Sequence, residues 1–263
     1  MMYEIQTYLG ADGLMHCTVC KEPVEAFYPK GSLLEMREHH RQCACERKAY
    51  AEEAQYYKEK EHRELIARNK KICFEEKEME GFTFQNVERD SGVIRIAEEY
   101  VTNWQKMKQN HMGYLFWGPV GTGKSYLAAC IANALLEKEV TVKMTNFNTI
   151  LNDLFAAEDK TEYIRLLNGY ELLIIDDLGV ERSSEYALEN IFSVIDWRYR
   201  SGKPLIITTN LPLAQLKQET KIEKKRIYDR ILERCIPVKI DGVSRREAMA
   251  NDNMQTMKNI LKI

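Results

Sequence analysis

Tyr114-Leu-Phe-Trp-Gly-Pro-Val-Gly-Thr-Gly-Lys-Ser125 carries an apolar run into a glycine-rich loop and then into a helix. Residues 118 to 125 read G-x-x-x-x-G-K-S. Gly118, Gly121 and Gly123 allow the close backbone approach that side chains would block, so consecutive N–H groups can turn inward around an anion, with Pro119, Val120 and Thr122 between them. The helix that starts near Gly123 adds the positive end of its dipole. Lys124 adds a full charge that reaches the β- and γ-phosphates, the Ser125 hydroxyl can sit on Mg²⁺, and Tyr126 follows as a further nucleotide-contact candidate. The expected ligand is ATP with magnesium. A plain strand-to-helix turn would give no reason for Lys-Ser after the last glycine.

Further along, Leu172-Leu-Ile-Ile-Asp176-Asp177 sets two carboxylates after four apolar residues, the pattern of a strand buried on both faces of a sheet. Asp176 is placed to hold the magnesium shell and Asp177 to orient or deprotonate the attacking water. Lys203-Pro-Leu-Ile-Ile-Thr-Thr-Asn210 reads as another buried strand ending in polar residues, from which Asn210 can reach the attacking water or the γ-phosphate. Helices are expected from Asp90 or Ser91 to about Gln109, after the loop, over Asn146 to Asn168, and from about Ser184 to Arg200. A strand is expected over Val140 to Met144.

The composition frames these motifs. The 263 residues are 44% hydrophobic, ample for a core, and 38 basic against 40 acidic residues exclude a protein that coats nucleic acid by bulk charge. No apolar stretch approaches a membrane span and no signal-peptide pattern opens the chain, so a cytoplasmic protein without membrane contact is expected.

Cys17-Thr-Val-Cys20 and Cys43-Ala-Cys45 give C-x2-C-x22-C-x-C. Four thiolates on two short turns suit tetrahedral Zn²⁺ in a closed, structural site, with His16, His39 or His40 as possible replacements for one cysteine. Residues 1–45 are therefore expected to be a zinc module stapled by its metal and a candidate partner-binding surface. More than half of residues 46–80 are charged, with both signs interleaved and no Pro or Gly, which reads as a solvated helical linker ended by Gly81. Residues 81–263 form the nucleotide-binding domain, with Phe82 and Phe84 as exposed or docking aromatics. In the tail, Met249, Met254, Met257 and Ile260 are expected to pack as an apolar stripe.

With the three motifs in this order, residues 81–263 resemble the AAA+ ATPases, and among them the bacterial and phage helicase loaders of the DnaC/DnaI type, a group similar to the IstB-type ATP-binding proteins. The Phe82-Thr-Phe-Gln-Asn86 entry, the Asp-Asp-Leu-Gly form of the second motif and the cysteine-rich module all fit. The resemblance implies an α/β fold with a parallel sheet in the order 5-1-4-3-2. It also implies self-association into a ring or spiral whose active sites are completed in trans by an arginine. Arg226 and Arg230 lie four apart on one helix face, Arg230 being favoured, and Arg245 matches an arginine that touches the triphosphate in cis. The implied function is ATP-dependent delivery of a hexameric DnaB-type replicative helicase onto single-stranded DNA, with Lys143, Phe147 and Arg165 as candidate strand contacts. A transposition helper ATPase of the IstB type, or a zinc adaptor switched by nucleotide with negligible turnover, are the alternatives.

Overall fold

The computed structural model describes residues 6–34, 38–86, 92–179, 184–242 and 244–261. The chain divides into two compact units, Met1–Leu65 and Ile66–Ile263.

In the first unit, β1 (Thr7–Leu9) pairs antiparallel with β2 (Met15–Cys17), and β3 (Glu25–Phe27) with β4 (Glu38–His40). Its core holds little beyond Cys17, Val24 and Cys43, with Met15, Cys20 and Cys45 against them. So small an apolar cluster does not offset the chain entropy of some sixty residues, and a cross-link must. Helix α1 (Ala44–Cys73) then runs unbroken. Carboxylates favour its positive end: Glu22 accepts the Ala44 N–H at 2.7 Å and Glu46 the Cys43 N–H at 3.0 Å. The charged stretch expected over 46–80 is thus α-helical to Cys73, and a short 3-10 helix, Lys77–Gly81, follows. Tyr50 and Tyr57 along it are exposed.

The second unit is a five-stranded parallel sheet. Its strands are β5 (Gly113–Trp117), β6 (Val142–Asn146), β7 (Leu172–Leu178), β8 (Leu205–Thr209) and β9 (Cys235–Lys239), in the order β6-β7-β8-β5-β9. Read from the other edge this is 5-1-4-3-2, the expected order. Strand side chains alternate between faces. Leu172, Ile174 and Ile206 join one core with α2 (Gly92–Thr102), α3 (Trp104–Gln109) and α4 (Lys124–Leu136). Leu173, Ile175, Leu205 and Ile207 join the other with α5 (Phe147–Ala156), α6 (Lys160–Gly169), α7 (Glu185–Ser201), α8 (Leu213–Lys217) and α9 (Ile222–Arg234). The helical region expected over Asn146–Asn168 is two helices, broken where the Asp159 carboxylate accepts the N–H groups of Thr161 and Glu162 and starts the second. The cap expected at Asp90 or Ser91 lies outside the described residues.

A strap joins the end of α1 to α4. Cys73 and Phe74 are buried, Glu75 accepts from the Thr145 and Thr149 hydroxyls at 2.8 and 3.0 Å, and the Asn133 amide donates to the carbonyls of Met79 and Phe82. Phe82 and Phe84 are consequently half-buried against the core rather than exposed. Two further expectations are corrected by packing. Phe147 is 1% exposed, inside the second core, and cannot stack on a base. Along α10 (Arg245–Leu261), Met254, Met257 and Ile260 are exposed, so these members of the stripe do not pack on the domain.

Candidate functional site

The parallel sheet points the carboxyl ends of β5, β7 and β8 at one edge, and the three motifs meet there. The loop between β5 and α4 lies close under its neighbours: a Cβ on Gly118 would overlap the Ile240 carbonyl oxygen, and one on Gly121 the Ser244 hydroxyl. Lys124 is buried within the loop it closes, its Nζ donating to the carbonyls of Gly118 at 3.0 Å and Pro119 at 2.7 Å. Thr122 Oγ1 donates to the Pro119 carbonyl at 2.9 Å, while Val120 is exposed at the loop tip. Tyr126 turns toward the strap. It stacks on Phe82 with centroids 4.5 Å apart and donates its hydroxyl to the Thr83 carbonyl at 3.2 Å.

Asp176 sits where Ser125 and Lys124 reach it. Burial pushes its carboxyl above the ordinary carboxylate range; the Thr208 hydroxyl opposes that, the adjacent Asp177 charge adds to it, and the Ser125 hydroxyl and Lys124 charge again oppose it. Asp177 occupies the left-handed region, φ 56°, where a non-glycine residue stores strain. The Asn210 amide stands 3.4 Å from its carboxylate. Loop lysine, hydroxyl, acidic pair and asparagine thus form one constellation, and it suits a metal–triphosphate: a buried ammonium at a helix N-terminus opposite two carboxylates separates an anion-binding half from a cation-binding half.

The raised Asp176 carboxyl has a measurable consequence. A fold that favours the neutral acid is stabilised by this group at low pH and loses that stability as pH rises through the folded value. In metal-free buffer Asp176→Asn is therefore expected to melt higher than the native chain near pH 7, with the gap closing toward about pH 4. Thermal unfolding across that range checks it, and a gap that widens on acidification would show the sign to be wrong.

The two arginines of α9 differ. Arg230 is tied within its own chain, its guanidinium 2.6 Å from the Asp196 carboxylate and over the rings of Phe192 and Tyr199. Arg226 is exposed, its guanidinium 4.1 Å over Phe192 alone. Arg226 is thus accessible at the surface, whereas Arg230 is held within its own chain. Arg245 begins α10 directly after Ser244, which lies over Gly121; its side chain lies outside the described residues. Lys143 donates to the Ile72 carbonyl and Arg165 pairs with Glu162, leaving both engaged within the chain.

In the first unit the Sγ atoms of Cys17, Cys20, Cys43 and Cys45 all lie within 4.8 Å of one another. A tetrahedral Zn²⁺ with 2.3 Å bonds holds its sulfurs about 3.8 Å apart, so the cluster fits that ion. These three histidines are otherwise engaged: His16 lies 3.0 Å from both the Asp12 carboxylate and the Lys21 carbonyl, His39 packs at a tilt against Tyr28, and His40 pairs with Glu46. The backbone N–H of Glu22, aided by that of Cys45, holds the Cys20 thiol at about 6, ready to ligate, while burial raises Cys43 and Cys45, whose thiolates need a cation beside them.

Sequence reading missed Thr208, whose buried hydroxyl contacts both acidic residues, and Asn133, which holds the strap. The polar Thr-Thr pair inside an otherwise apolar strand was the available signal for the first; an asparagine on a helix face otherwise all apolar was the signal for the second.

Comparison with known proteins places this geometry. A family model described as IstB-like ATP binding protein matches residues 49–252. The replicative helicase loader DnaC of Escherichia coli (strain K12) is 29% identical over 149 residues, 55% of this chain and 58% of the relative. The replicative helicase loader DnaI of Bacillus subtilis (strain 168) is 24% identical over 192 residues, 67% of this chain and 62% of the relative. The chain thus spans less than two thirds of these curated relatives. A crystal structure of DnaI superposes with a TM-score of 0.58 at 25% identity, over 68% of this chain and 99% of that one. With the parallel sheet, the phosphate loop and the acidic pair in place, and the family model spanning most of its length, the chain belongs to the IstB-like ATP-binding proteins and is homologous to the helicase loaders DnaC and DnaI.

Proposed function

We propose that this protein is an ATP-dependent loader that binds a hexameric DnaB-type replicative helicase and delivers it onto single-stranded DNA. The observation that carries the reading is a nucleotide constellation in one unit and four clustered cysteine sulfurs able to hold a metal in the other, in a homologue of DnaC and DnaI. An ATPase that turned over nucleotide alone would have no need of the first unit, with its cysteine cluster.

Within the site, Gly118 to Gly123 wrap the triphosphate with backbone N–H groups and Lys124 neutralises its outer phosphates. Ser125 and Asp176 hold Mg²⁺, which supplies charge neutralisation on the phosphoryl oxygens. Asp177, with Asn210 beside it, orients the attacking water and accepts its proton. Arg226 enters from a neighbouring copy, and Arg245 supports the phosphates in cis; a trans guanidinium makes hydrolysis depend on assembly into a ring or spiral. Cys17, Cys20, Cys43 and Cys45 hold one Zn²⁺ in a structural role. Residues 1–45 form the partner-binding module, the α1 segment from residue 46 links it onward, and the nucleotide domain comprises 81–263 together with the strap that packs on it. No helix among the described residues is long and apolar enough to cross a membrane, and the reading places the protein in the cytoplasm.

The test is capture. The intact chain with ATP and Mg²⁺ is expected to retain the host's replicative helicase on a column, and a chain lacking residues 1–45 to lose it. Retention by the shortened chain overturns the partner assignment. ATP-dependent assembly on duplex DNA with no helicase captured would instead identify a transposition helper.

A further inference from the structure

Strands β7 and β8 fall out of register at the acidic pair. Ile175 stands opposite Ile207, but the next matched pair is Leu178 with Thr209, so three steps along β7 answer two along β8. The extra residue is a β-bulge, and a bulge strips ladder hydrogen bonds from the residues that form it. Those residues include Asp176 and Asp177. Side chains of β8 take over where the ladder fails. Thr208 Oγ1, fully buried, accepts the Asp177 N–H at 2.9 Å and donates its single hydrogen to Asp176 Oδ1. Thr209 Oγ1 closes the bulge on its far side, donating to the Leu178 carbonyl at 2.7 Å.

We infer that Thr208 is a positioning residue for both acidic groups, fixing the Asp176 carboxylate for the metal and holding the Asp177 backbone in the left-handed conformation that aims its side chain. The inference rests on the ATP-hydrolysing reading above and deepens it. A hydroxyl has one hydrogen to give. Because the Asp177 N–H is itself a donor, the hydroxyl must accept there, and its hydrogen is directed to Asp176. One group therefore couples the rotamer of the first carboxylate to the backbone of the second. Valine has nearly the shape of threonine and neither capacity, leaving the half-buried Asp177 N–H without its acceptor and the Asp176 carboxylate with one tie fewer. Serine keeps both capacities.

The test uses the full-length chain with a fluorescent ATP analogue, titrated in EDTA and then in MgCl₂, beside steady-state hydrolysis and a thermal melt. Thr208→Val is expected to bind the analogue in EDTA as the native chain does, because the loop is untouched. Its Mg²⁺-dependent gain in affinity and its kcat are each expected to fall by about 10- to 100-fold, as for other residues that orient a metal ligand. Thr208→Ser is expected to restore both. Native behaviour of Thr208→Val in both arms, or a Thr208→Ser as impaired as the valine variant, overturns the inference. Should valine prevent folding, Thr208→Ala carries the same comparison against serine. A native chain that never hydrolyses ATP defeats the hydrolytic reading by itself, and the Mg²⁺ titration then still decides the role of Thr208.

Discussion

Lys124→Ala is expected to abolish nucleotide-dependent behaviour while leaving the fold intact. The ammonium is buried and spends its hydrogen bonds on two carbonyls of its own loop, an arrangement that keeps a full charge at the mouth of a helix for an anionic ligand. Hydrogen bonds to charged groups contribute about 1.5–3 kcal/mol each, so loss of two phosphate contacts should weaken ATP binding by about 100-fold or more. The free protein should lose little, since removing a buried charge also removes its desolvation penalty. Saturating ATP at about 100 times its dissociation constant would stabilise the native chain by about 2.7 kcal/mol. A melt with and without Mg·ATP should therefore show a shift for the native chain and none for the variant. Steady-state hydrolysis should vanish in parallel, and a rate indifferent to the substitution would remove catalysis from this site.

The second large effect belongs to Cys43→Ser. Cys43 is fully buried among the four sulfurs, in a unit whose apolar core is otherwise Cys17 and Val24 with a few half-buried neighbours. Structural zinc supplies about 10–16 kcal/mol of folding free energy in modules of this kind, far more than such a core can replace. The variant should release its metal and expose residues up to about Leu65 to proteases, while residues from Ile66 onward continue to bind nucleotide. Cys130→Ser is the control, because Cys130 is buried in α4 of the other unit and belongs to no sulfur cluster. Metal content and limited proteolysis read the result. A native chain purified without chelator and free of zinc, or a Cys43→Ser chain as protease-resistant as the native one, would end the metal assignment.

The exposed position of Arg226 and the tethered Arg230 show where sequence reasoning stops. Both lie on one face of α9 at a spacing that favours neither, and what distinguishes their surroundings is Asp196, some thirty residues earlier on α7, which pairs with Arg230. Thr208 is similar: within Ile-Ile-Thr-Thr-Asn it reads as strand, and only its neighbour β7, displaced by a bulge, makes its hydroxyl a bridge. Phe147 and the α10 residues Met254 and Met257 erred in opposite directions for one reason, that apolar character does not say whether a neighbouring element covers it.

What the sequence determined by itself was everything encoded over a few residues of chain: the phosphate loop, the acidic strand end, the paired cysteines, and the unbroken apolar run that buries β7 on both faces. These are local because glycine conformations, helix starts and ligand spacings act across one or two turns of backbone. What only the tertiary structure decided was the left-handed Asp177, the threonine that holds it, the strap under Asn133 and the exposed position of Arg226 on α9. Each depends on a contact between segments 31 to 54 residues apart, and such a contact exists only once the fold has brought those segments together.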